Sequence, residues 1–285
     1  MNFFIKRIKE KVKHKIGNIM YKDNYTQLKA TEMNIDLSGK IALVTGASGE
    51  LGKVIAYTLA LCGADVIVHY YSNAEKAKSL AENIQKLGRC SMLVKADITD
   101  FQSVLNMKGI IEKEMGNPDI IVNNAVIQYN WKSVLEQDTA DYESQFKSSV
   151  LHNVYMAKAF IPAMQAKQYG RIIAINTECA MQNFENQSAY VSGKRGMDGV
   201  LRVLAKEIGA YQITVNQVAP GWTITEKTRV SGTIKQPEHE QHIPLKRRGT
   251  DQEVANVVAF LASDLASYIT GAYIPVCGGN VMPSI

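Results

Sequence analysis

The sequence predicts a single α/β domain in which helices cover both faces of one parallel β-sheet. Short apolar runs alternate with amphipathic stretches from about residue 37 to the end of the 285-residue chain. The runs are continuously apolar, which is typical of strands buried on both faces, and such strand–helix alternation predicts a three-layer α/β/α architecture. A glycine-rich turn joins the first run to the first helical stretch, as in phosphate-binding domains of this class.

The individual elements follow in order along this pattern. Six apolar runs are predicted to be strands, at 41–45, 65–71, 91–96, 119–124, 171–176 and 213–219. The stretches between them predict helices at 51–61, 73–87, 102–115, 140–167 and 188–209. There is no internal repeat or second composition regime, so residues 37–285 are expected to form one domain behind an extension of residues 1–36.

The extension begins with a predicted basic amphipathic helix over residues 1–20. Isoleucines and Val12 recur at three- and four-residue steps, and six basic residues between positions 6 and 15 occupy the other faces. One interpretation is peripheral contact with an anionic membrane surface. A helix packed on its own subunit, or a frayed arm, would give the same pattern.

Composition narrows the classes of function. The formal charge is +5, and residues 1–40 account for the whole excess with nine basic and four acidic residues. The rest of the chain is balanced, so no nucleic-acid surface is expected. Four scattered cysteines without a CxxC pair favour a reducing, cytoplasmic setting and indicate neither a disulfide framework nor a metal site. No apolar run approaches the length of a membrane span.

The glycine-rich turn has the sequence TGASGELG, residues 45–52. Glycines at a strand-to-helix turn let the backbone approach a pyrophosphate, and the helix N-terminus supplies free N–H groups. A merely tight turn is the competing interpretation. Glu50 is expected to point outward, because an inward carboxylate would repel a pyrophosphate whereas an acid in the first helical turn is favourable to the helix dipole.

Tyr190 and Lys194 lie one turn apart on a predicted helix, and Thr177 precedes the tyrosine by thirteen residues. Reduction of a ketone by hydride needs a proton donor for the developing alkoxide, and a lysine on the same helix face favours the ionised form of a tyrosine. A second hydroxyl holds the oxygen on which charge develops. The spacing alone is weak evidence, since Tyr25 and Lys29 repeat it in the extension; the position after the fifth strand distinguishes Tyr190 and Lys194.

These features together resemble the short-chain dehydrogenase/reductase (SDR) family, in the branch of 3-oxoacyl-acyl-carrier-protein reductases. The resemblance rests on TGASGELG, Asp97, NNA at 123–125, YVSGK at 190–194, APGW at 219–222 and the segment 244–279. It implies a Rossmann-type doubly wound sheet and hydride transfer between a nicotinamide dinucleotide and a ketone or secondary alcohol. It also implies a homo-oligomer, either a tetramer or a dimer. A 3-oxoacyl thioester is one candidate substrate.

The family's four catalytic positions fall on Tyr190 as the acid/base, Lys194 as its partner, Thr177 in place of a serine and Ser149 in place of an asparagine. In the family that asparagine supports a water linked to the lysine, and Asn153 one turn later is a candidate substitute. The altered positions leave a second hypothesis open: an SDR-fold binding or scaffolding protein with weak or lost turnover.

The resemblance also assigns a dinucleotide site at the loop after the first strand, the ends of the next strands and the turn after the sixth. Its expected residues are Gly46, Ser48, Glu50, Leu51, Gly52, Tyr70, Tyr71, Ser72, Asp97, Ile98, Asn124, Ala125, Tyr190, Lys194, Pro220, Gly221, Thr223 and Thr225. Tyr70 stands where NAD-specific sites carry an acid, and Ser72, Asn73 and Lys76 are candidates to bind a 2′-phosphate. NADP is therefore favoured, with NAD as the alternative. Val126 replaces a family glycine and narrows the space beside the cofactor.

Residues 222–245 correspond to the variable segment that covers substrate in this family. Within and near the site, Gln128, Trp131 and Trp222 are the candidate substrate contacts. Their mixed character identifies no particular ligand, because family membership constrains the reaction rather than the group attached to the carbonyl.

Overall fold

The structure, a computed structural model, describes residues 34–282. The predicted amphipathic helix of residues 1–20 lies outside this range, as do residues 283–285. The compact domain begins at Ile35. Within residues 34–282, no helix is long and apolar enough to cross a membrane.

One seven-stranded sheet forms the centre of the domain. Its strands are β1 (Ile41–Val44), β2 (Asp65–Tyr70), β3 (Ser91–Lys95), β4 (Ile120–Asn123), β5 (Gly170–Ile175), β6 (Ile213–Pro220) and β7 (Tyr273–Val276). They lie in the order β3-β2-β1-β4-β5-β6-β7, and every neighbouring pair is parallel. The strand order reverses between β1 and β4, and the carboxyl ends of strands at such a point form the ligand crevice of doubly wound sheets.

Helices cover both faces of the sheet, as the sequence predicted. They are α1 (Glu50–Leu61), α2 (Ala74–Lys86), α3 (Phe101–Glu114), α4 (Thr139–Gln145), α5 (His152–Lys167), α6 (Cys179–Gln182), α7 (Ser188–Ile208), α8 (Glu226–Val230), α9 (Pro237–Glu240) and α10 (Asp251–Ala262). One hydrophobic core packs α1, α2 and α10 against the sheet, and a second packs α3, α5 and α7 against the other face. The predicted three-layer α/β/α class is confirmed.

The stretch 140–167, predicted to be helical, is helical in the structure but is not one continuous α-helix. A π-helical turn, Phe146–Leu151, separates α4 from α5. It lies where α7 approaches most closely: a Cβ at Gly193 would stand 2.8 Å from the Gln145 carbonyl oxygen, and one at Gly196 would stand 2.9 Å from Val150 Cγ2. The turn lies beside α7, and π turns of this kind occur frequently at functional sites.

Among the elements that were not predicted individually are β7 and α10. The last strand, β7, contains a proline and lies at the sheet edge, where proline is tolerated, so its sequence gives a weak strand signal. Helix α10 begins with a capping box formed by Thr250 and Glu253. That motif is visible in the sequence as a threonine three residues before a glutamate and could have located the helix start.

Two glycines of α7 provide a matched test of the packing against the π-helical turn. Gly193→Ala is expected to lower the free energy of unfolding by about 1–3 kcal/mol, because its methyl group would overlap the Gln145 carbonyl. Gly199→Ala should raise the free energy of unfolding by about 0.5–1 kcal/mol, because alanine has the higher helix propensity and no atom lies within 4 Å of the added carbon. Urea unfolding followed by circular dichroism measures both changes. Equal stabilisation by the two substitutions would contradict the close approach of α7.

Candidate active site

The loop between β1 and α1 has the shape of a phosphate cradle. Gly46 has a positive φ of 62°, and a Cβ there would stand 2.9 Å from Ala125 Cα. A Cβ at Gly52 would overlap the Gly46 carbonyl and stand 2.7 Å from Asn124 Nδ2. Gly49 caps α1 without a side-chain hydrogen bond, which leaves the first N–H groups of the helix for a ligand. The loop therefore fits the pyrophosphate of a dinucleotide.

A buried histidine that sequence reasoning did not select holds this loop. The Gly46 N–H donates to His69 Nδ1 at 3.0 Å, and His69 Nε2 lies 3.1 Å from the Ala96 carbonyl oxygen. Burial lowers the pKa of His69 to about 4, so the ring is neutral and donates from Nε2. Asn124 braces the loop from the other side by donating to the Thr45 carbonyl at 3.0 Å.

The Glu50 carboxylate faces the variable segment. Its Oε2 accepts the backbone N–H of Lys227, on α8, at 2.8 Å. Beside it, Lys53 forms an ion pair with Glu226. The expected outward orientation of Glu50 agrees with these contacts, which also join the phosphate loop to the segment that the resemblance places over the substrate.

The ends of β2 and β3 supply the expected adenosine side of the site. Tyr70 is the last residue of β2, and Tyr71 and Ser72 after it are exposed. The Asp97 carboxylate accepts from the Thr99 N–H at 2.8 Å and from the Thr99 hydroxyl at 2.6 Å. Ile98, next to Asp97, is buried.

Asn73, a candidate contact for a 2′-phosphate, also has a structural role that uses only its amide oxygen. Asn73 Oδ1 accepts the Lys76 N–H at 3.2 Å and caps α2. A groove of about 540 Å³ between α1 and α2 runs from Ser48 past Lys53 and Lys76. Lys53 is paired with Glu226, whereas Lys76 forms no ion pair with another described residue. Lys76 is therefore the cation of this groove that is available to a phosphate.

Lys194 ties α7 to the end of β5. Its side chain is 4% exposed, and Nζ donates to the Ile175 carbonyl at 2.6 Å. Burial lowers the pKa of the ammonium to about 8, so it remains protonated at neutral pH. The nitrogen lies 5.8 Å from the centre of the Tyr190 ring. An ammonium has three donors, and those not used by Ile175 are available to ribose hydroxyls.

Tyr190 and Thr177 meet at the same place. Burial raises the pKa of the Tyr190 phenol above its usual value, and the nearby Thr177 hydroxyl opposes that rise. The phenol is therefore protonated at neutral pH. Thr177 Oγ1 also accepts the Cys179 N–H at 3.2 Å, and the Thr177 carbonyl accepts from the Tyr273 hydroxyl. These bonds fix the loop that carries the threonine.

Ser149 lies in the π-helical turn, and its hydroxyl has no hydrogen-bond partner among the residues that the structure describes. Its carbonyl accepts from Asn153 Nδ2 at 2.7 Å, and Asn153 Oδ1 accepts from Asn123 Nδ2 at 2.7 Å. Asn153 thus places an amide against the Ser149 backbone and links the turn to the end of β4.

The aromatic candidates differ in their surroundings. The Trp131 ring lies 6.4 Å from the Tyr190 ring with an interplanar angle of 25°. Trp222 contacts the Arg248 guanidinium at 4.4 Å and the His239 ring at 5.2 Å. Gln128 is exposed on the loop that carries Trp131.

The turn after β6 follows Pro220, the last residue of that strand. The Thr223 hydroxyl donates to the Gly221 carbonyl at 2.9 Å, and Thr225 precedes α8. The buried Glu178 carboxylate, not selected from the sequence, lies close by and accepts from Asn280 Nδ2 at 3.1 Å. Burial raises its pKa. An acid directly after Thr177 was the available sequence signal.

The family model described as enoyl-(acyl carrier protein) reductase matches residues 46–280. The curated relatives include the 3-oxoacyl-(acyl-carrier-protein) reductase of Pseudomonas aeruginosa, 36% identical over 87% of this chain and 100% of the relative. The enzyme of the same name from Escherichia coli strain K12 is 37% identical with the same coverage.

Two solved structures are similar over most of the chain. One is a 7α-hydroxysteroid dehydrogenase complexed with NADH and 7-oxo glycochenodeoxycholic acid, with a TM-score of 0.80, 32% identity and coverage of 88% of this chain and 97% of that one. The other is a crystal structure described as a gluconate dehydrogenase from Agrobacterium tumefaciens, with a TM-score of 0.81, 27% identity and coverage of 87% and 99%.

Proposed function

The chain belongs to the short-chain dehydrogenase/reductase family, and from that membership we propose an NADP(H)-dependent enzyme that interconverts a ketone and a secondary alcohol. The observation that carries the proposal is that Lys194, which donates to the last residue of β5, lies 5.8 Å from the centre of the Tyr190 ring, while Thr177 follows that strand closely. The relatives named 3-oxoacyl-(acyl-carrier-protein) reductases make 3-oxoacyl thioesters the first substrates to test.

The chemistry divides between the cofactor and this chain. The bound nicotinamide supplies or accepts the hydride. Tyr190 donates its phenolic proton to the carbonyl oxygen, and the Thr177 hydroxyl holds that oxygen where negative charge develops. The positive charge of Lys194 stabilises the phenolate that remains. Because the phenol is protonated at neutral pH, the free enzyme is in the state required for ketone reduction.

We propose that Asn153 takes over the supporting role of the family asparagine replaced by Ser149. Its amide holds the Ser149 carbonyl and connects to Asn123, so the turn keeps a fixed shape without an asparagine at 149. The second hypothesis, a binding protein with lost turnover, gains no support from the relatives, whose names are those of enzymes.

NADP is proposed over NAD because no carboxylate stands at the end of β2 and Lys76 faces the adjoining groove. The ribose 2′-hydroxyl of NAD is typically bound by an acid at that strand end, which would repel a 2′-phosphate. The structure of the 7α-hydroxysteroid dehydrogenase contains NADH, so NAD is the alternative that the binding experiment must compare.

We also propose a homo-oligomer in the cytoplasm, as the resemblance implies. Tyr268 is fully exposed, and half-exposed Phe146 and Val203 lie on the π-helical turn and α7. Apolar side chains of this kind suit a contact between subunits. The mass in solution, measured by sedimentation, tests the oligomer.

Removal of the phenol hydroxyl gives the direct test of the mechanism. Tyr190→Phe is expected to lower kcat at least about 10³-fold, because the proton donor is lost, while NADPH affinity stays within about twofold. Thr177→Ala should lower kcat about 10²-fold. Thr177→Ser should retain most of the activity, because it keeps the hydroxyl. Activity is measured on 3-oxoacyl thioesters, small ketones and an enoyl thioester.

Tyr211→Phe is the matched control, since it removes a phenol hydroxyl beyond the far end of α7. A fully active Tyr190→Phe variant would refute the mechanism. NADPH binding without turnover of any substrate, by the unmodified enzyme or by Thr177→Ser, would favour the binding-protein hypothesis instead.

A charge reversal in the groove tests the cofactor proposal. Lys76→Glu is expected to weaken NADPH binding about 10–100-fold and leave NADH binding unchanged, because only NADPH carries the 2′-phosphate. Lys78→Glu, an exposed change on the same helix α2 but outside the groove lining, should alter neither affinity. Titration of the cofactor fluorescence gives both dissociation constants. Tighter binding of NADH than NADPH by the unmodified protein would refute the preference.

Contact of residues 1–20 with an anionic membrane surface remains a proposal based on the sequence. The full chain is expected to sediment with phosphatidylserine-containing vesicles, and high salt should release it because the attraction is electrostatic. A chain that starts at residue 37 is the control. Equal sedimentation of the two proteins would exclude a role for the extension.

A further inference from the structure

The loop after β4 brings two aromatic side chains to Tyr190. The backbone N–H of Tyr190 donates to the Tyr129 hydroxyl at 2.8 Å. The Trp131 ring lies over the Tyr190 ring, with 6.4 Å between the ring centres. One loop therefore contacts both the backbone and the phenol ring of the proton donor.

The Tyr129 hydroxyl accepts a hydrogen bond from one of the first N–H groups of α7. The first N–H groups of a helix have no partner within the helix and usually bond to the side chain of the N-cap residue. The N-cap of α7 is Gln187, and its side chain makes no such bond. Tyr190 is the third residue of α7, at the position whose N–H a cap normally satisfies, and Tyr129 supplies the acceptor from a loop 61 residues earlier.

Buried amides hold this loop in place. Gln145, which is 0% exposed, donates to the Ile127 carbonyl at 2.9 Å, and Gln137, which is 8% exposed, donates to the Asn130 carbonyl at 3.1 Å. These two bonds lie on either side of Tyr129. Because the backbone of Gln145 also packs against Gly193 of α7, the same residue sets the loop and the catalytic helix at a fixed separation.

We propose that Tyr129 is a positioning residue for catalysis, whose hydroxyl caps α7 at Tyr190 and fixes the direction of the catalytic phenol. This inference rests on the proposed function of Tyr190. The phenol oxygen lies at the far end of its side chain, so a small rotation of the backbone at the helix start displaces it substantially. Misplacement of a catalytic group by about 1 Å can lower a rate by up to about 10²-fold.

A second tyrosine at the same helix end provides a matched control. The Tyr142 hydroxyl lies 2.6 Å from Ser188 Oγ, on the first residue of α7. It contacts a side chain of the helix start but not the backbone of Tyr190. Tyr129→Phe and Tyr142→Phe therefore remove the same group from neighbouring places, and only the first removes the bond to the Tyr190 N–H.

The experiment compares both variants by steady-state kinetics and by hydrogen exchange of the Tyr190 amide. Tyr129→Phe is expected to lower kcat about tenfold with unchanged KM and NADPH affinity, and to speed exchange of that amide about tenfold, since one hydrogen bond is lost. Tyr142→Phe should leave kcat and the Tyr190 amide within about twofold.

Equal loss of kcat in the two variants would overturn the proposal, as would faster exchange in Tyr129→Phe without any change in kcat. Failure of the proposed function is a separate result. In that case the unmodified protein and Tyr211→Phe would also lack turnover, whereas a failure confined to the positioning role leaves both of them active.

Discussion

The buried ammonium of Lys194 is the constraint on which the site depends. A lysine removed from water is costly unless polar groups replace its hydration, and here the Ile175 carbonyl supplies one acceptor. Burial moves the pKa of the group down to about 8, yet the charge is retained at neutral pH. The bond ties α7 to the end of β5. It therefore keeps Tyr190, on the helix, close to Thr177, which follows the strand. The unused donors of the ammonium also favour a ligand rich in hydroxyl groups beside them.

A close packing contact sets the distance at which this bond forms. Gly193 and Gly196 let α7 approach the π-helical turn, and the turn carries Ser149 in place of the family asparagine. Asn153 then holds the Ser149 carbonyl from the next helical turn. The substitution at 149 is thus accommodated locally, by an amide that reaches the same stretch of backbone.

The sequence predicted features that form within one stretch of chain, but not contacts between stretches that are distant in the sequence. Continuous apolar runs located β1 to β6 because burial on both faces leaves a pattern within each strand. TGASGELG identified the phosphate loop because Gly46 and Gly52, within one short turn, have no room for a Cβ. Three features have no sequence pattern that predicts them, because each depends on elements that only the fold brings together. They are the cap of α7 by Tyr129, the bond between His69 and Gly46, and the π-helical turn after α4. Asn73, a candidate phosphate contact, also caps its own helix through its amide oxygen, a role that was not predicted.

The phosphate loop and the start of α1 contact α8 of the variable segment through a hydrogen bond and an ion pair. Glu50 accepts the Lys227 N–H, and Lys53 pairs with Glu226 on the same short helix. The Lys53 and Glu226 side chains are 25% and 59% exposed, and exposed ion pairs contribute only about 0–1 kcal/mol each. These contacts sit at the entrance to the phosphate cradle, whereas the groups that hold Tyr190 and Lys194 are buried in the domain. Deeper contacts also anchor this segment, because Arg229 of α8 pairs with the buried Asp251 and the buried Arg248 donates to the Trp222 and Thr223 carbonyls. The variable segment and the catalytic helix are therefore both held by buried groups.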